Sequence, residues 1–367
     1  MTRGLTDRLI SLDALRGFTI AAMIIVNDPG SWEHVYAPLL HAEWNGITPT
    51  DYIFPFFLFI VGVSIALAYQ KRLDEGTDKG PLVRKILIRS AKIFGLGLFL
   101  WLWPDFDFSG LRWAGVLQRI ALVFLPCALL FLYTDWQTQL KIGAGILLAY
   151  WIIMAYMPVP GIGMPDLSTP GKNWAHYIDS ILLPGRMWQG TWDPEGILST
   201  FPAIATGISG MLIGKLILNM EKDYKRVTWI FFFGVGMVLL GGIWDWFFPI
   251  NKNIWTSSFV LLTSGWATLF LAGSMLIVDM LGYTKWTTLG RVFGANAISA
   301  YVLAGMLTTV FYTGWFGMDG LNDLFMNGMT GMGVPAKLAS LIYAIIYTLI
   351  IYIPVYILYQ RRIFIKV

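Results

Sequence analysis

The residues best suited to chemistry lie in a short polar segment that follows the first apolar stretch of the chain. His41 stands there, with Asn45 and Asp51 shortly after it and Asn27 and Asp28 before it. An imidazole can take up a proton near neutral pH and so deprotonate an attacking nucleophile. We therefore predict a catalytic group of His41, Asn45 and Asp51, with Asn27 and Asp28 at the substrate. The alternative interpretation is a solvated or packing histidine.

The same segment predicts how His41 is positioned. The first helix should stop at residues 27–30, an Asn-Asp-Pro-Gly run typical of a helix end. A second helix should begin after Thr48 as N-cap, with Pro49 at its first position and Asp51 three residues after the cap. His41 then lies in the approach to this second helix, at the membrane surface.

Further polar residues interrupt apolar stretches. A buried arginine is costly unless it is paired or lines a wet cavity, so we expect Arg119 to pair with Asp105, Asp107 or Glu195. Buried polar groups of this kind indicate a tunnel, although hydrogen bonds between helices explain them equally well. The set comprises Gln118, Arg119, Asp245 and Asn296.

Two polar pairs have both a structural and a functional interpretation. Asp13 and Arg16 are three residues apart at the start of the first helix. They can form an intrahelical ion pair or bind a phosphate or carboxylate at a cytoplasmic entrance. Asn251 and Lys252 lie between two apolar stretches, either in a tight turn or at the substrate. Glu195 follows a helix-start pattern and is a further candidate for substrate binding.

Composition places the chain in a membrane. Of 367 residues, 56% are hydrophobic, 13% are charged, and mean hydropathy is +0.63, whereas a soluble domain carries about 25% charged residues. Disordered, coiled-coil and disulfide-rich classes are excluded. The single cysteine excludes a Cys-based metal cluster, and HExxH, GxSxG, Walker A and dinucleotide motifs are absent. We expect no metal cofactor and no nucleic-acid partner.

Apolar stretches of about 20 residues predict the fold class, an all-α polytopic membrane protein. The third stretch is the weakest, because Arg89 and Lys92 lie in its first turns. We predict about ten spans, at residues 13–29, 50–70, 86–103, 114–133, 140–157, 197–219, 227–248, 255–280, 292–312 and 335–359.

The distribution of Lys and Arg predicts the orientation. With the N-terminus cytoplasmic, 20 of the 26 basic residues fall on the cytoplasmic side and 6 on the other, so both termini should face the cytoplasm. Residues 1–367 should form a single domain. Segment 158–196, nearly 40 residues long, should be an outer loop packed on the bundle, because it contains three tryptophans.

Several sequence blocks, taken together, resemble one known family, the transmembrane heparan-α-glucosaminide N-acetyltransferases and their bacterial relatives. The resemblance runs in order from about Arg8 to the C-terminus. Its most specific parts are the blocks HAEWNG and NKNIW. The blocks are RLISLDALRGFTIAAMIIVN, HAEWNGITPTDYIFPFFLFIVGVS, LRWAGVLQRIAL, DPEGILST, FPINKNIWTSSFVLLTSG and GANAISAYVL.

This resemblance implies transfer of an acetyl group from cytosolic acetyl-CoA to an amino sugar across the membrane. The family's active-site histidine falls on His41, in the block that also contains Trp44. We assign Asp13, Arg16, Gln118, Arg119 and Asn296 to acetyl-CoA, and the substrate set is Asn27, Asp28, Trp44, Glu195, Asp245, Asn251 and Lys252. The animal enzyme's N-terminal lumenal domain is missing, so we expect another amino sugar or a cell-envelope glycan as acceptor.

The expected enzyme is a multi-pass protein of the bacterial cytoplasmic membrane, in contact with lipid and able to form a homodimer. His41 acts as general base, with Asn45 or the Arg119 region stabilising the oxyanion, or else carries the acetyl group transiently. The basic loop 70–92, with seven Lys and Arg residues, binds anionic lipid or the CoA nucleotide. The alternatives from other classes are a secondary transporter for a sugar or small polar solute and an assembly scaffold.

Overall fold

The computed structural model describes residues 9–314 and 319–365, and the secondary structure there is helical. Helices are expected, because backbone polar groups in a bilayer must be satisfied within the segment. Thirteen α-helices follow one another along the described chain. They are α1 (Ile10–Asn27), α2 (Ile53–Asp74), α3 (Lys79–Leu102), α4 (Val116–Tyr133), α5 (Trp136–Tyr156), α6 (Trp174–Leu182), α7 (Ile197–Asn219), α8 (Tyr224–Asp245), α9 (Ser257–Ser274), α10 (Thr288–Ala295), α11 (Ala297–Tyr312), α12 (Leu321–Gly331) and α13 (Ala336–Gln360).

Eight helices in the described part of the chain are long and apolar enough to cross a membrane, which confirms a polytopic all-α fold. The two remaining predicted spans differ from expectation. Helix α3, which matches the stretch 86–103, is long enough, but its cationic side chains make it too polar. The stretch 292–312 is not one helix, since α10 and α11 meet at a bend of 74°. The pair forms either a broken ninth span or a re-entrant loop.

The core of the bundle is the packing of α2 on α7, with α4 and α9 against the same pair. Glycines allow the close approach. A Cβ atom on Gly62 would lie 2.0 Å from the carbonyl oxygen of Gly207, and one on Gly210 would lie 2.0 Å from that of Phe59. Any larger side chain at these two positions would therefore force α2 and α7 apart.

The connections differ in length between the two ends of the bundle. At one end, which we name the outer end, lie the long connections 28–48, 103–115, 157–196 and 246–256. At the other, the basic end, helices are joined by short turns such as 134–135, and most of the Lys and Arg residues lie there. The long connections bring residues that are distant in sequence together at the outer end.

The segment 157–196 packs on the outer end through aromatic residues. It contains α6, and its Trp192 is buried against Trp44 of the 28–48 connection. His176 of α6 stacks on Trp192 with ring centroids 4.1 Å apart. Burial lowers the pKa of His176 to about 3, so this histidine is a neutral packing residue. The loop therefore forms a fixed wall beside the 28–48 connection.

Candidate active site

His41 is held by a carboxylate ten residues further along the chain. Its Nδ1 lies 2.7 Å from Oδ1 of Asp51, whose side chain is fully buried while that of His41 is 47% exposed. The other oxygen of Asp51 accepts hydrogen bonds from the backbone N–H groups of Ala42 and Thr48, at 3.1 and 2.9 Å. The predicted helix start at Thr48 and Pro49 is confirmed, as a 3-10 turn leading into α2.

The opposite nitrogen of His41 meets a lysine from another connection. Nζ of Lys252 lies 3.1 Å from Nε2 of His41. With Nδ1–H donating to Asp51, Nε2 carries the lone pair and accepts from the ammonium. Burial lowers the pKa of Lys252, although Glu195 and Asp51 act in the other direction. A base and a cation therefore stand side by side at the exposed edge of the imidazole.

Asn45 and Asn251 join the two connections that supply His41 and Lys252. Nδ2 of Asn251 donates to Oδ1 of Asn45 at 3.0 Å, and the backbone N–H of Gly46 donates to the carbonyl of Ile250 at 2.8 Å. Asn251 also accepts from the N–H of Ile254 through its own oxygen. These bonds fix the position of Lys252 relative to His41.

Asn45 and Trp44 also bind the long outer segment. Both side chains donate to the carbonyl of Leu167, at 3.0 and 2.9 Å respectively. The amide of Asn45 is thus engaged through both its nitrogen and its oxygen. Asp245 plays a comparable local part, because its Oδ1 accepts from the N–H of Ile250 at 2.6 Å and shapes the turn after α8. All three side chains bind protein groups in this arrangement.

A second charged group lies nearby, around an arginine that the sequence interpretation missed. Arg112 donates through Nε and Nη2 to both carboxylate oxygens of Asp193, at 2.7 and 2.6 Å. Its Nη2 also lies 2.7 Å from Glu195. The available signal was its position, since Arg112 is one of only six basic residues assigned to the outer side.

Arg119 and Gln118 are neighbours in sequence but have different surroundings. Arg119 is 1% exposed, donates to the carbonyl of Gly196 and the hydroxyl of Ser199, and lies over the ring of Trp255. The ion pair predicted for Arg119 is wrong: Glu195 binds Arg112 instead. Consecutive helical residues point about 100° apart, so only Gln118 reaches the adjoining cavity.

That cavity has a volume of about 380 Å³ and lies at the outer ends of α1, α3, α4 and α11. Asp28 accepts a hydrogen bond from Thr308 at 2.9 Å, and burial raises the pKa of Asp28 to about 7. The side chain of Asn27 is exposed to this space. The polar lining residues are Asn27, Asp28, Arg112, Gln118, Tyr301 and Thr308.

Glu195 interacts with both parts of the site. It binds Arg112 in the cavity wall, and its charge acts against the lowering of the pKa of Lys252, which contacts His41. We name His41, Asp51, Lys252, Arg112 and Glu195, together with the cavity, the outer cluster. Its charges, base and open space can hold a polar substrate and move a proton.

Known proteins match the chain over the region that supplies most of this cluster. A family model described as heparan-alpha-glucosaminide N-acetyltransferase, catalytic, matches residues 8–239. The chain belongs to this family. The human heparan-alpha-glucosaminide N-acetyltransferase is 29% identical over an alignment of 424 residues. The alignment covers 99% of this chain and 60% of the human protein. The mouse protein of the same name is 28% identical over 374 residues, covering 85% and 56%.

The chain therefore spans little more than half of the length of these two curated relatives. Within this member of the heparan-alpha-glucosaminide N-acetyltransferase family, the matched residues include His41, Asp51, Arg112 and Glu195, whereas Lys252 lies beyond the match. The structure places Lys252 in the site through its contact with His41.

Three of the residues predicted to bind acetyl-CoA in this family member, Asp13, Arg16 and Asn296, lie at the basic end. Arg16 forms the predicted ion pair with Asp13 at 3.2 Å and donates to Ser64 and to the carbonyl of Gly294. Asn296 is not inside a helix as expected but at the α10–α11 break, where it binds the backbone of the C-terminal tail. We name Asp13, Arg16, Ser64 and Asn296 the basic-end cluster. Because a helix rises about 1.5 Å per residue, Arg16 lies about 12 Å along α1 from Ile24 in the cavity wall, and Asn296 lies about 8 Å along the chain from Tyr301 in the same wall.

Proposed function

We propose that this protein is a membrane-embedded acetyltransferase that moves an acetyl group from acetyl-CoA to an amino sugar or glycan at the outer end. The observation that carries the proposal is the geometry of His41. Its Nδ1 is fixed by the buried carboxylate of Asp51, and its Nε2 stands beside Lys252 at the exposed edge of the ring. Membership of the N-acetyltransferase family supports the reaction class.

His41 acts as the general base. Its Nε2 accepts the proton of the acceptor amine or hydroxyl as the nucleophile attacks the thioester carbonyl, forming the new C–N or C–O bond. Asp51 stabilises the imidazolium that results, as a buried carboxylate partner does in a hydrogen-bonded pair. The tetrahedral intermediate then collapses, the C–S bond breaks, and the CoA thiolate leaves with the proton from His41.

Lys252 stabilises the oxyanion. A carbonyl carbon attacked next to Nε2 of His41 places its oxygen within reach of Nζ of Lys252, which is 3.1 Å from Nε2. A preorganised donor at a developing negative charge contributes about 10²–10³ in rate. Asn45, which we predicted for this task, has both amide atoms bound to protein groups. We therefore assign Asn45 to positioning of the loop.

Helix α3 supplies the route for acetyl-CoA. Lys85, Arg89 and Lys92 are spaced by four and three residues, which places them on one face of the helix. The same helix continues to Gly97 and Leu100 in the cavity wall. The CoA phosphates bind these cations, and the pantetheine arm extends along α3 into the cavity, where Asn27 and Asp28 lie beside it.

The acceptor enters from the outer end. Trp188 is 60% exposed and lines the cavity mouth, where the Arg112 guanidinium lies 5.0 Å from its ring centre. An exposed indole beside paired charges suits a sugar ring, which has an apolar face and a polar edge. The relatives' names specify a glucosaminide, and for this chain we propose an amino sugar or an amino-sugar unit of a cell-envelope glycan.

The direct test uses the full-length protein in lipid nanodiscs with labelled acetyl-CoA and a panel of amino sugars and neutral sugars. We expect a labelled N-acetyl or O-acetyl sugar from at least one amino sugar, and none from the His41→Gln variant. Labelled acetyl bound to the protein in the absence of acceptor would indicate an acetyl-histidine intermediate. Hydrolysis without transfer across the whole panel would contradict the proposal.

One observation favours transport as a second candidate. Broken helices next to a cavity are typical of secondary transporters, and the α10–α11 span is bent by 74° beside cavity-lining Tyr301. Vesicles that carry the protein separate the two functions. Uptake of an unmodified labelled amino sugar without acetyl-CoA would favour the transporter, and appearance of only acetylated sugar would favour the enzyme.

A further inference from the structure

A second, larger cavity lies between α5 and α8, and none of its lining residues belongs to the outer cluster. Its volume is about 760 Å³. Helix α5 packs on α7 and helix α8 packs on α9, while α7 and α9 contact each other. Helices α5 and α8 therefore stand apart as two walls, and α7 and α9 form the floor of a groove, which we name the α5–α8 groove.

The walls of the groove are apolar, and its two ends differ in the residues that border them: one end has a lysine and the other is closed by tryptophan. Its basic end is bordered by Lys215, Asn219 and Trp136. Its other end is closed by Trp244, which packs edge-on against Trp151 with ring centroids 5.6 Å apart. The groove is thus open toward one membrane surface and blind toward the other. Residues that line the walls include Leu140, Ala144, Leu148, Leu212, Met237 and Leu240.

The dimensions fit an acyl chain. The lining of α7 runs from Ala205 to Asn219, which is about 21 Å of helix. One leaflet of a bilayer has a hydrocarbon depth of about 15 Å, half of the core. The groove is therefore long enough for an extended acyl chain that starts at the membrane surface.

Charge at the open end specifies the head group. Lys215 is the one cation among the groove residues, and among residues 9–314 and 319–365 it has no carboxylate partner. Its Nζ lies 5.5 Å from the centre of the Phe131 ring. A lysine at the level of the lipid head groups attracts an anionic phosphate.

We propose that the α5–α8 groove binds one anionic phospholipid of the leaflet at the basic end, with an acyl chain between α5 and α8 and the phosphate on Lys215. This site is separate from the proposed acetyl-transfer site, and it stands whether or not the protein is an acetyltransferase. The lipid fills the gap between the two walls and supports α5, whose Tyr150 donates to the carbonyl of Ile254 close to Lys252.

Native mass spectrometry of the full-length protein tests this site. The protein is exchanged into detergent with equal amounts of phosphatidylglycerol and phosphatidylcholine. We expect one retained lipid, with phosphatidylglycerol preferred. Ala144→Trp, which fills the groove, should lose the retained lipid, whereas Ala149→Trp, at an exposed position on the same helix but outside the groove, should keep it. Lys215→Gln should lower the preference about fivefold, and Lys225→Gln at the same end should not.

Three results would overturn the proposal. Equal lipid retention in Ala144→Trp and Ala149→Trp would show that the retained lipid binds elsewhere. An unchanged phosphatidylglycerol preference in Lys215→Gln would remove the head-group assignment. A protein that is dimeric before the substitution and monomeric in Ala144→Trp would assign the groove to a second copy of the chain instead. Sugar acetylation in the same variants reports separately on the acetyl-transfer site.

Discussion

The outer cluster and the basic-end cluster both contain charged residues between helices, but they use their hydrogen bonds differently. At the basic end, Arg16 bonds to Asp13, Ser64 and the backbone of Gly294, and Asn296 bonds to the C-terminal tail. These bonds connect one helix or segment to another. The basic-end cluster therefore has the hydrogen-bond pattern of a structural contact that holds helices and the C-terminal tail together.

In the outer cluster, hydrogen bonds fix the ring of His41 through Nδ1, the nitrogen opposite the proposed reactive nitrogen Nε2. Asp51 fixes one nitrogen of His41 while the other edge of the ring stays exposed, and the side chain of Asn27 is exposed in the cavity. The comparison teaches that burial of a charged residue does not by itself mark a functional site. What marks the outer cluster is a fixed base next to open space and a cation.

The largest expected effect is the loss of acetyl transfer on substitution of His41, compared with the same substitution at His34. His41→Gln removes the base, and we expect acetyl transfer to fall about 10²–10⁴-fold with an unchanged thermal midpoint, because the side chain is half exposed. His34→Gln is the matched control, since His34 lies in the same connection and is half-buried, and it should keep full activity. Equal loss in both variants would contradict the assignment.

Arg112→Leu should damage the fold as well as activity. The substitution leaves Asp193 and Glu195 without their cation, and breaking a buried ion pair costs about 3–5 kcal/mol. We expect a clear drop in thermal midpoint in detergent, whereas Arg186→Leu, an exposed residue of the same region, should change it little. An Arg112→Leu variant as stable as wild type would show that the ion pairs of Arg112 with Asp193 and Glu195 do not hold the outer cluster together.

Lys252→Met should lower kcat about 10²–10³-fold and leave the thermal midpoint nearly unchanged, because the loop is fixed by Asn251 and not by Lys252. Lys337→Met, an exposed lysine on the outer side by the predicted orientation, is the control and should retain wild-type kcat. A Lys252→Met variant with normal kcat and a raised KM for the sugar would move Lys252 from the oxyanion to acceptor binding.

Asp28→Asn should change the pH dependence of stability. Burial raises the pKa of Asp28 to about 7 from an ordinary 3.8, so the folded protein holds an extra proton between pH 4 and 7. Unfolding free energy must fall as pH rises through that window, by up to about 4 kcal/mol. The variant should therefore have a higher thermal midpoint than wild type at pH 8, and the two should converge near pH 4. The exposed Asp105→Asn should track wild type throughout.

The smallest effect is expected at the basic end. Arg16→Gln should alter kcat/KM for the sugar by less than about fivefold, since a partly exposed ion pair contributes up to about 1 kcal/mol. The comparison would be sharpened by the KM for acetyl-CoA. A tenfold rise in that constant would show that Arg16 touches the CoA phosphates, as we predicted from the sequence, and would make the basic-end cluster part of the enzyme's binding site.

The sequence predicted best what is local. The turn from Thr48 to Asp51 follows from the capping pattern, and it places His41 against its carboxylate. The contact of His41 with Lys252 joins residues 211 positions apart, and no spacing rule gives such a distance. Arg112 was missed for the same reason, since its partner Asp193 lies 81 residues away.

The wrong predictions have a similar cause. Arg119 was expected to find a carboxylate, but the structure gives it a carbonyl, a hydroxyl and an indole face. These neutral partners leave no charge pattern in the sequence. Asn296 was expected within a helix, because the surrounding residues are apolar and good helix formers, yet the chain bends there and the amide caps the C-terminal tail.

Alkylation by bromoacetyl-CoA tests most directly whether acetyl transfer takes place at the outer cluster. The reagent carries an electrophilic carbon beside the thioester and loses bromide to a nearby nucleophile. Peptide mapping should find the adduct on His41 or Lys252, acetyl-CoA should protect against it, and the His41→Gln variant should not be labelled at residue 41. Protectable labelling elsewhere, with both side chains unmodified, would contradict the account.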